Sequence, residues 1–175
     1  MAEKELLRNL RCPRWEELPN IDLYMDQVLT FLNEHLESIN ILNDEKQLTS
    51  SMVNNYVKHG IVDKPIKKKY NRTHLIYIYV VCFLKKIYSM DEISTLIKIQ
   101  VRTSEIEGAY NAFCDEVEHA IDYLYNPNNH EPVVNSEDGE TMQLLKTTIN
   151  SVVTALFVQE MILEAKKIEQ MKKVK

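Results

Sequence analysis

Residues 48–75 read LTSSMVNNYVKHGIVDKPIKKKYNRTHL, and this stretch decides the reading of the chain. Thr49 is a good helix N-cap, because its hydroxyl can accept from the free N–H groups of a first turn. The residues after it alternate with helical period. Met52, Val53, Tyr56 and Val57 fall on one face, and Ser50, Ser51, Asn54, Asn55 and Lys58 on the other. Gly60 stands where a left-handed residue ends a helix. Lys64 precedes Pro65, which disfavours helix there, so residues 61–71 predict a small hairpin or loop. That loop is basic. Residues 54–86 hold eight Lys or Arg against one acid, Asp63, which is 8 − 1 = +7. The whole chain has formal charge −5, so the remainder carries −5 − 7 = −12.

The surroundings are those of a mostly helical protein. The 175 residues suit one domain or two small ones. Hydrophobic residues make up 45% of them, while Gly (3) and Pro (5) are too few for a fold built on many tight turns. Residues 1–20 form an arm broken by Pro13 and Pro19, with Trp15 expected to pack it onto the body. Residues 22–37 predict a helix capped by Asp22, with Leu23, Val28, Leu29, Leu32 and Leu36 on one side and a loop at 43–47. The segment 73–88 is ambiguous. Its β-branched and aromatic residues favour a strand, and its length favours a helix. Ser89 and Glu92 form an S-x-x-E capping box ahead of a helix over 90–100.

Residues 103–142 contain ten Asp or Glu and no Lys or Arg. Their first half predicts an amphipathic helix and their second half a polar loop. From Thr141 to about Met171 a long helix follows. Met142, Leu145, Ile149, Val152 and Leu156 form its apolar stripe, which Val153, Phe157 and Met161 widen. A stripe that broad needs a partner, within the chain or in a second subunit.

The stretch VNNYVKHGIVDKP, then KKKYNRTHL, then FLKKIYSMDEISTLI resembles the DNA-binding module of MerR-type transcription regulators. Asn55 and Tyr56 stand at that family's paired tyrosines, and Gly60 with Ile61 at its Gly-Leu. Pro65 matches the following proline, Lys68 and Tyr70 its Arg-x-Tyr, and Ser89, Glu92 and Ile93 the opening of its next helix. Residues 13–100 more closely resemble an uncharacterised bacterial family, a domain of unknown function with a MerR-like module. The resemblance covers about half of the chain and implies a helix at 73–88. The chain departs from the pattern in four places: the wing glycine is absent, implying a shorter wing, Asn54 replaces an arginine, the first helix is longer, and the loop after it is larger.

The expected fold class is therefore mainly α: a MerR-like winged helix-turn-helix with a small basic wing, plus long C-terminal helices. The expected organisation is an arm at 1–20, the winged module at 21–102, and a helical dimerisation or effector region at 103–175. The expected partner is double-stranded DNA, which demands a local cationic surface whatever the total charge. Lys64, Lys67, Lys68, Lys69 and Arg72 would meet phosphates from the wing, and the resemblance adds Tyr70. Asn54 and Asn55 could make paired hydrogen bonds to adenine in the major groove, with Ser50, Ser51 and Lys58 beside them. By similarity the chain forms a homodimer through Met142, Leu145, Ile149, Val152 and Leu156, and an unknown small-molecule effector acts through the C-terminal helices.

Other classes have less behind them. No glycine-rich phosphate loop, G-x-S-x-G or H-E-x-x-H occurs, so the expectation is a protein that is not an enzyme and needs no cofactor. Asp115, His119 and Asp122 share a helix face beside Cys114, but with one histidine and no paired soft ligands no metal site is expected. Cys12, Cys82 and Cys114 form no C-x-x-C pair, which fits a reducing cytoplasm. The longest apolar run, residues 75–84, is about half the ~20 residues that cross a bilayer, so no membrane association is expected. The alternatives are an adaptor that keeps the fold without binding DNA, favoured by the acidic remainder, and a small-molecule sensor without DNA activity.

Overall fold

The computed structural model describes residues 5–102, 104–126, 128 and 137–173. The described chain is mainly helical. A two-residue strand, β1 (Leu23–Tyr24), precedes helices α1 (Met25–Asn43) and α2 (Ser50–Lys58). Strand β2 (Lys69–Tyr70) leads into α3 (Arg72–Leu84), α4 (Met90–Val101), α5 (Ile106–Tyr125) and α6 (Glu140–Lys173). The expected polar loop at 126–140 lies largely outside the described residues.

Local chemistry sets most of the boundaries. The Thr49 hydroxyl accepts from the Met52 N–H and opens α2. Gly60, at φ +69°, closes it, and the N–H groups of Ile61 and Val62 turn back to the Tyr56 carbonyl. The Asn71 side chain accepts from the His74 N–H and opens α3. At α4 the Ser89 hydroxyl accepts from the Glu92 N–H while the Glu92 carboxylate accepts from the Ser89 N–H at 2.7 Å. Helix α1 begins three residues later than expected, so Asp22 is not its cap. Leu23 and Tyr24 are instead held in the ribbon, paired with Tyr70 and Lys69, and Gln27 accepts from the Tyr24 N–H. Helix α1 also runs longer, to Asn43, because Ile39 and Leu42 continue its buried stripe.

Helix α3 is the centre of the core. Ten of its thirteen residues are buried, which explains why it shows no polar face and reads equally well as a strand. Around it pack Val28, Leu32 and Leu36 of α1, Val53 and Tyr56 of α2, Ile93 of α4 and Phe113 and Val117 of α5. Phe83 meets Phe113 edge-on with ring centroids 5.3 Å apart.

The stripe on α6 closes within the chain. Leu145, Ile149, Val152 and Leu156 are buried and Met142 is partly buried, with α5 as the principal neighbour and α1 and α4 alongside. These side chains are thus core, and the second-subunit role expected for them is corrected. No residue of α6 beyond Glu160 is buried.

The arm is anchored at both ends. Leu7, Leu10, Cys12 and Leu18 are buried. Near its start, the buried Glu160 carboxylate of α6 accepts from the Leu7 N–H at 3.0 Å and from the Tyr125 hydroxyl. Further on, Arg14 pairs with Asp115 and, at 2.7 Å, with Glu118 on α5. Trp15 packs against the core under the Arg72 guanidinium.

Candidate nucleic-acid interface

Helix α2 has one buried edge and one free face. Val53 and Tyr56 are buried and Met52 and Val57 partly so, while Ser50, Ser51, Asn54, Asn55 and Lys58 are all exposed. No hydrogen bond or ion pair within the described residues engages the side chains of Asn54, Asn55 or Lys58. Burial drives the Tyr56 hydroxyl well above its ordinary pKa and the Cys82 thiol beside it up to about 11. Both groups therefore act as neutral packing beneath α2, with the Tyr56 oxygen 3.9 Å from the Cys82 sulfur.

The basic segment after α2, where a wing is expected, is a hairpin with the shortest turn a hairpin allows. Ile66 and Lys69 exchange both backbone hydrogen bonds, at 3.1 and 2.9 Å, around Lys67 at φ +50° and Lys68 at φ +65°. Two consecutive positive φ angles make a type I′ turn, which ordinarily takes Asn-Gly. A side chain in the left-handed region costs about 1–2 kcal/mol, and here two lysines in sequence occupy it. The hairpin is thus short, and its tip holds two adjacent cations in a backbone form that glycine would adopt freely.

Not every basic residue of the 54–86 segment serves this surface. Arg72 lies 5.1 Å over the Trp15 ring and donates to the Leu18 carbonyl at 3.1 Å, so its guanidinium anchors the arm. Lys85 pairs with Glu45 at 2.6 Å and Lys86 donates to the Asn43 carbonyl, fixing the loop between α1 and α2. Removing these three from eight leaves Lys58, Lys64, Lys67, Lys68 and Lys69 on α2 and the wing. Tyr70 is 3% exposed, with its ring edge-on to His74 at 5.4 Å. It joins the wing to α3 from inside, and its expected place among the contact residues is corrected to the core.

Elsewhere the chemistry-bearing residues have structural partners. Asp115 holds Arg14, His119 stands 3.7 Å from Glu116, and the Cys114 sulfur faces the Pro13 carbonyl. Among the described residues no group of three His, Cys, Asp or Glu could hold a metal ion, and no helix is long and apolar enough to cross a membrane. An apolar cavity of about 70 Å³ lies where α3, α4, α5 and α6 meet, lined by Ile76, Val80, Ile97, Phe113 and Ile149 among others.

The model of a family described as a domain of unknown function, DUF1836, matches residues 13–113, more than half of the chain. The chain belongs to the DUF1836 family. The match spans Pro13 of the arm, α1 to α4, the ribbon and wing, and the start of α5 as far as Phe113. The DUF1836 segment therefore contains the whole α2–wing surface and ends before α6. No curated protein and no solved structure matches the chain. The resemblance to an uncharacterised family is borne out, and the match extends thirteen residues beyond the 13–100 span that carried it.

Sequence reasoning missed Glu160, the Arg14–α5 pairs and strand β1. Glu160 meets Leu7 across 153 positions, and nothing near either residue signals the contact.

Proposed function

We propose that this DUF1836 protein is a DNA-binding transcriptional regulator of MerR-like winged helix-turn-helix type. In this reading α2 enters the major groove. Asn54 and Asn55 read base edges, and Lys58, Lys64, Lys67, Lys68 and Lys69 neutralise phosphates. The observation that carries the reading is the combination on one surface: a short capped helix whose five polar side chains all face solvent, beside a lysine-tipped wing, in a chain whose remainder is acidic. A merely solvated surface would not need two lysines in left-handed backbone at a hairpin tip.

The homodimer of this proposal uses a different part of α6 from the buried stripe. Val158, Met161, Ala165 and Ile168 are exposed and spaced three, four and three apart, the repeat of a coiled-coil seam. A second copy laid along that seam would present two α2 helices to a two-fold site.

The test is fluorescence anisotropy of the full chain on a labelled duplex from its own upstream region, beside a random duplex, titrated over salt. The expected result is binding to both, tighter to the former, with log affinity falling linearly against log salt. Replacing Lys67, Lys68 and Lys69 with Ala should weaken binding to every sequence and reduce the slope by about 0.9 for each phosphate that is no longer neutralised. Asn54→Ala should instead remove sequence discrimination of about 1–3 kcal/mol. Absence of binding to either duplex at low salt would sink the proposal and turn the search to a protein partner, the adaptor alternative.

A further inference from the structure

The two faces of the wing ribbon differ in a way the phosphate-binding role does not explain. Leu23 pairs with Tyr70 and Tyr24 with Lys69. Side chains alternate along a strand, so Leu23 and Tyr70 point inward, and both are buried. Tyr24 and Lys69 point outward. Across the turn Ile66 is the direct partner of Lys69, and directly paired residues share a face. The outward face therefore carries Tyr24, Lys69 and Ile66 in one row. Tyr24 is 51% and Ile66 67% exposed, and the Lys69 ammonium stands 5.1 Å from the Tyr24 ring centroid. An aromatic ring and a branched aliphatic chain thus stand in solvent among Lys64, Lys67, Lys68 and Lys69.

Single exposed apolar residues are common and need no explanation. This row differs because it lies on the most cationic surface of the chain, on an element only a few residues wide. Lysine charge draws the tip to phosphates, but Ile66 and Tyr24 gain nothing there. They gain where a narrow basic tip meets an apolar wall between two phosphate rows. That is the minor groove, about 6 Å wide, where aliphatic side chains inserted at a base step unstack it and kink the duplex. Pyrimidine–purine steps yield most readily.

We propose that Ile66, backed by Tyr24, is an apolar wedge that enters the DNA minor groove and bends the duplex at a deformable step, while the wing lysines hold the flanking phosphates. The inference rests on the DNA-binding reading above and adds the wing's contact, the deformation and a preference at a position that α2 does not touch.

The experiment uses the full chain and two 30-base-pair duplexes carrying a donor and an acceptor dye at their ends. One has a central TpA step and the other a stiff A-tract. Wild type should raise energy transfer on binding, more so with the TpA duplex, and should bind that duplex several-fold more tightly. Ile66→Ser should bind both duplexes within about threefold of the wild-type affinity for the A-tract, with an unchanged salt slope, and lose both the bend and the preference. Ile66→Leu should restore them. Unchanged melting temperatures are expected, since Ile66 stands in solvent. A bend equal to wild type in Ile66→Ser overturns the wedge and leaves the DNA reading standing. No binding of wild type to either duplex overturns both. Binding to vesicles containing phosphatidylserine, lost in Ile66→Ser, with no bend on DNA, would assign the row to a membrane surface and overturn the wedge equally.

Discussion

In α2 helical periodicity separates a buried edge, Val53 and Tyr56, from a polar face that remains in solvent. In α6 the same kind of periodicity runs for 34 residues and divides along its length instead. Its first part, through Leu156, is enclosed by α5, α1 and α4. Its last part exposes Val158, Met161, Ile168 and Met171. Periodicity identifies an apolar face but does not say what covers it. For α2 the cover is the adjacent helical module, close in sequence. For α6 it comes from α5 and α4 and from α1, more than a hundred positions away. Only the uncovered remainder of each helix is available for a partner: the polar face of α2, and the exposed apolar residues at 158–168 of α6.

The two parts of α6 can be challenged separately, and the largest effect is expected in the buried one. Ile149 is 1% exposed, and Ile149→Ala should cost about 2–5 kcal/mol of folding stability. That is a fall in melting temperature of roughly 2–4 °C per kcal/mol at this size. The double variant Met161→Lys, Ile168→Lys changes exposed positions, so the fold should hold within about 0.5 kcal/mol while the proposed self-association is lost. Chemical denaturation and sedimentation equilibrium distinguish the two. If Ile149→Ala instead left stability unchanged and abolished association, the buried and free parts of α6 would have to be exchanged.

A smaller effect is expected at the arm. Glu160 is 5% exposed, and its carboxylate accepts from the Leu7 N–H and the Tyr125 hydroxyl. Glu160→Ala leaves a buried N–H and a part-buried hydroxyl without their acceptor, which costs about 1–3 kcal/mol. Amide exchange should accelerate over residues 5–12 and remain slow in α3. Uniform acceleration through α3 would mean that the arm and the core open together, and that the arm is not a separable cover for α6.

Legibility follows the same division between near and far. Thr49, Gly60, Ser89 and Glu92 announce helix ends from within a few residues, and the structure uses all four as read. The polar face of α2 was legible too, because an exposed face needs no information about the rest of the chain. Three kinds of feature were not. The ribbon took Leu23 and Tyr24 out of α1, since a two-residue strand has no pattern of its own. Tyr70 and Arg72 look like surface residues in a basic run, yet one packs on His74 and the other anchors Trp15 and Leu18. The cover of the α6 stripe depends on contacts across tens to more than a hundred positions, which single-sequence periodicity cannot register. The segment 73–88 is the intermediate case. A helix buried all round loses the period that would mark it, and only length and resemblance favoured the observed α3.

The most legible feature should also have the smallest energetic effect. Ser89 donates its N–H and its hydroxyl to the Glu92 carboxylate, each at 2.7 Å, and these bonds hold the Glu92 pKa below its ordinary value of 4.5. A carboxyl pKa lowered on folding stabilises the protein fully above the unfolded value, and the contribution disappears as pH falls through the folded value. Glu92→Gln should therefore melt slightly below wild type at pH 7, and the gap should close as pH is lowered from about 4.5. A gap that persisted unchanged at the lowest pH would mean that the carboxylate's charge contributes nothing to the cap and that hydrogen-bond geometry alone matters. The side chain is fully exposed, so solvent takes up most of what the lost bonds release. Solvent access is what the two helices share here. It makes a cap or a polar face readable one turn at a time and limits its contribution to stability. The buried Ile149 and Glu160 combine large effects with partners that no local pattern reveals.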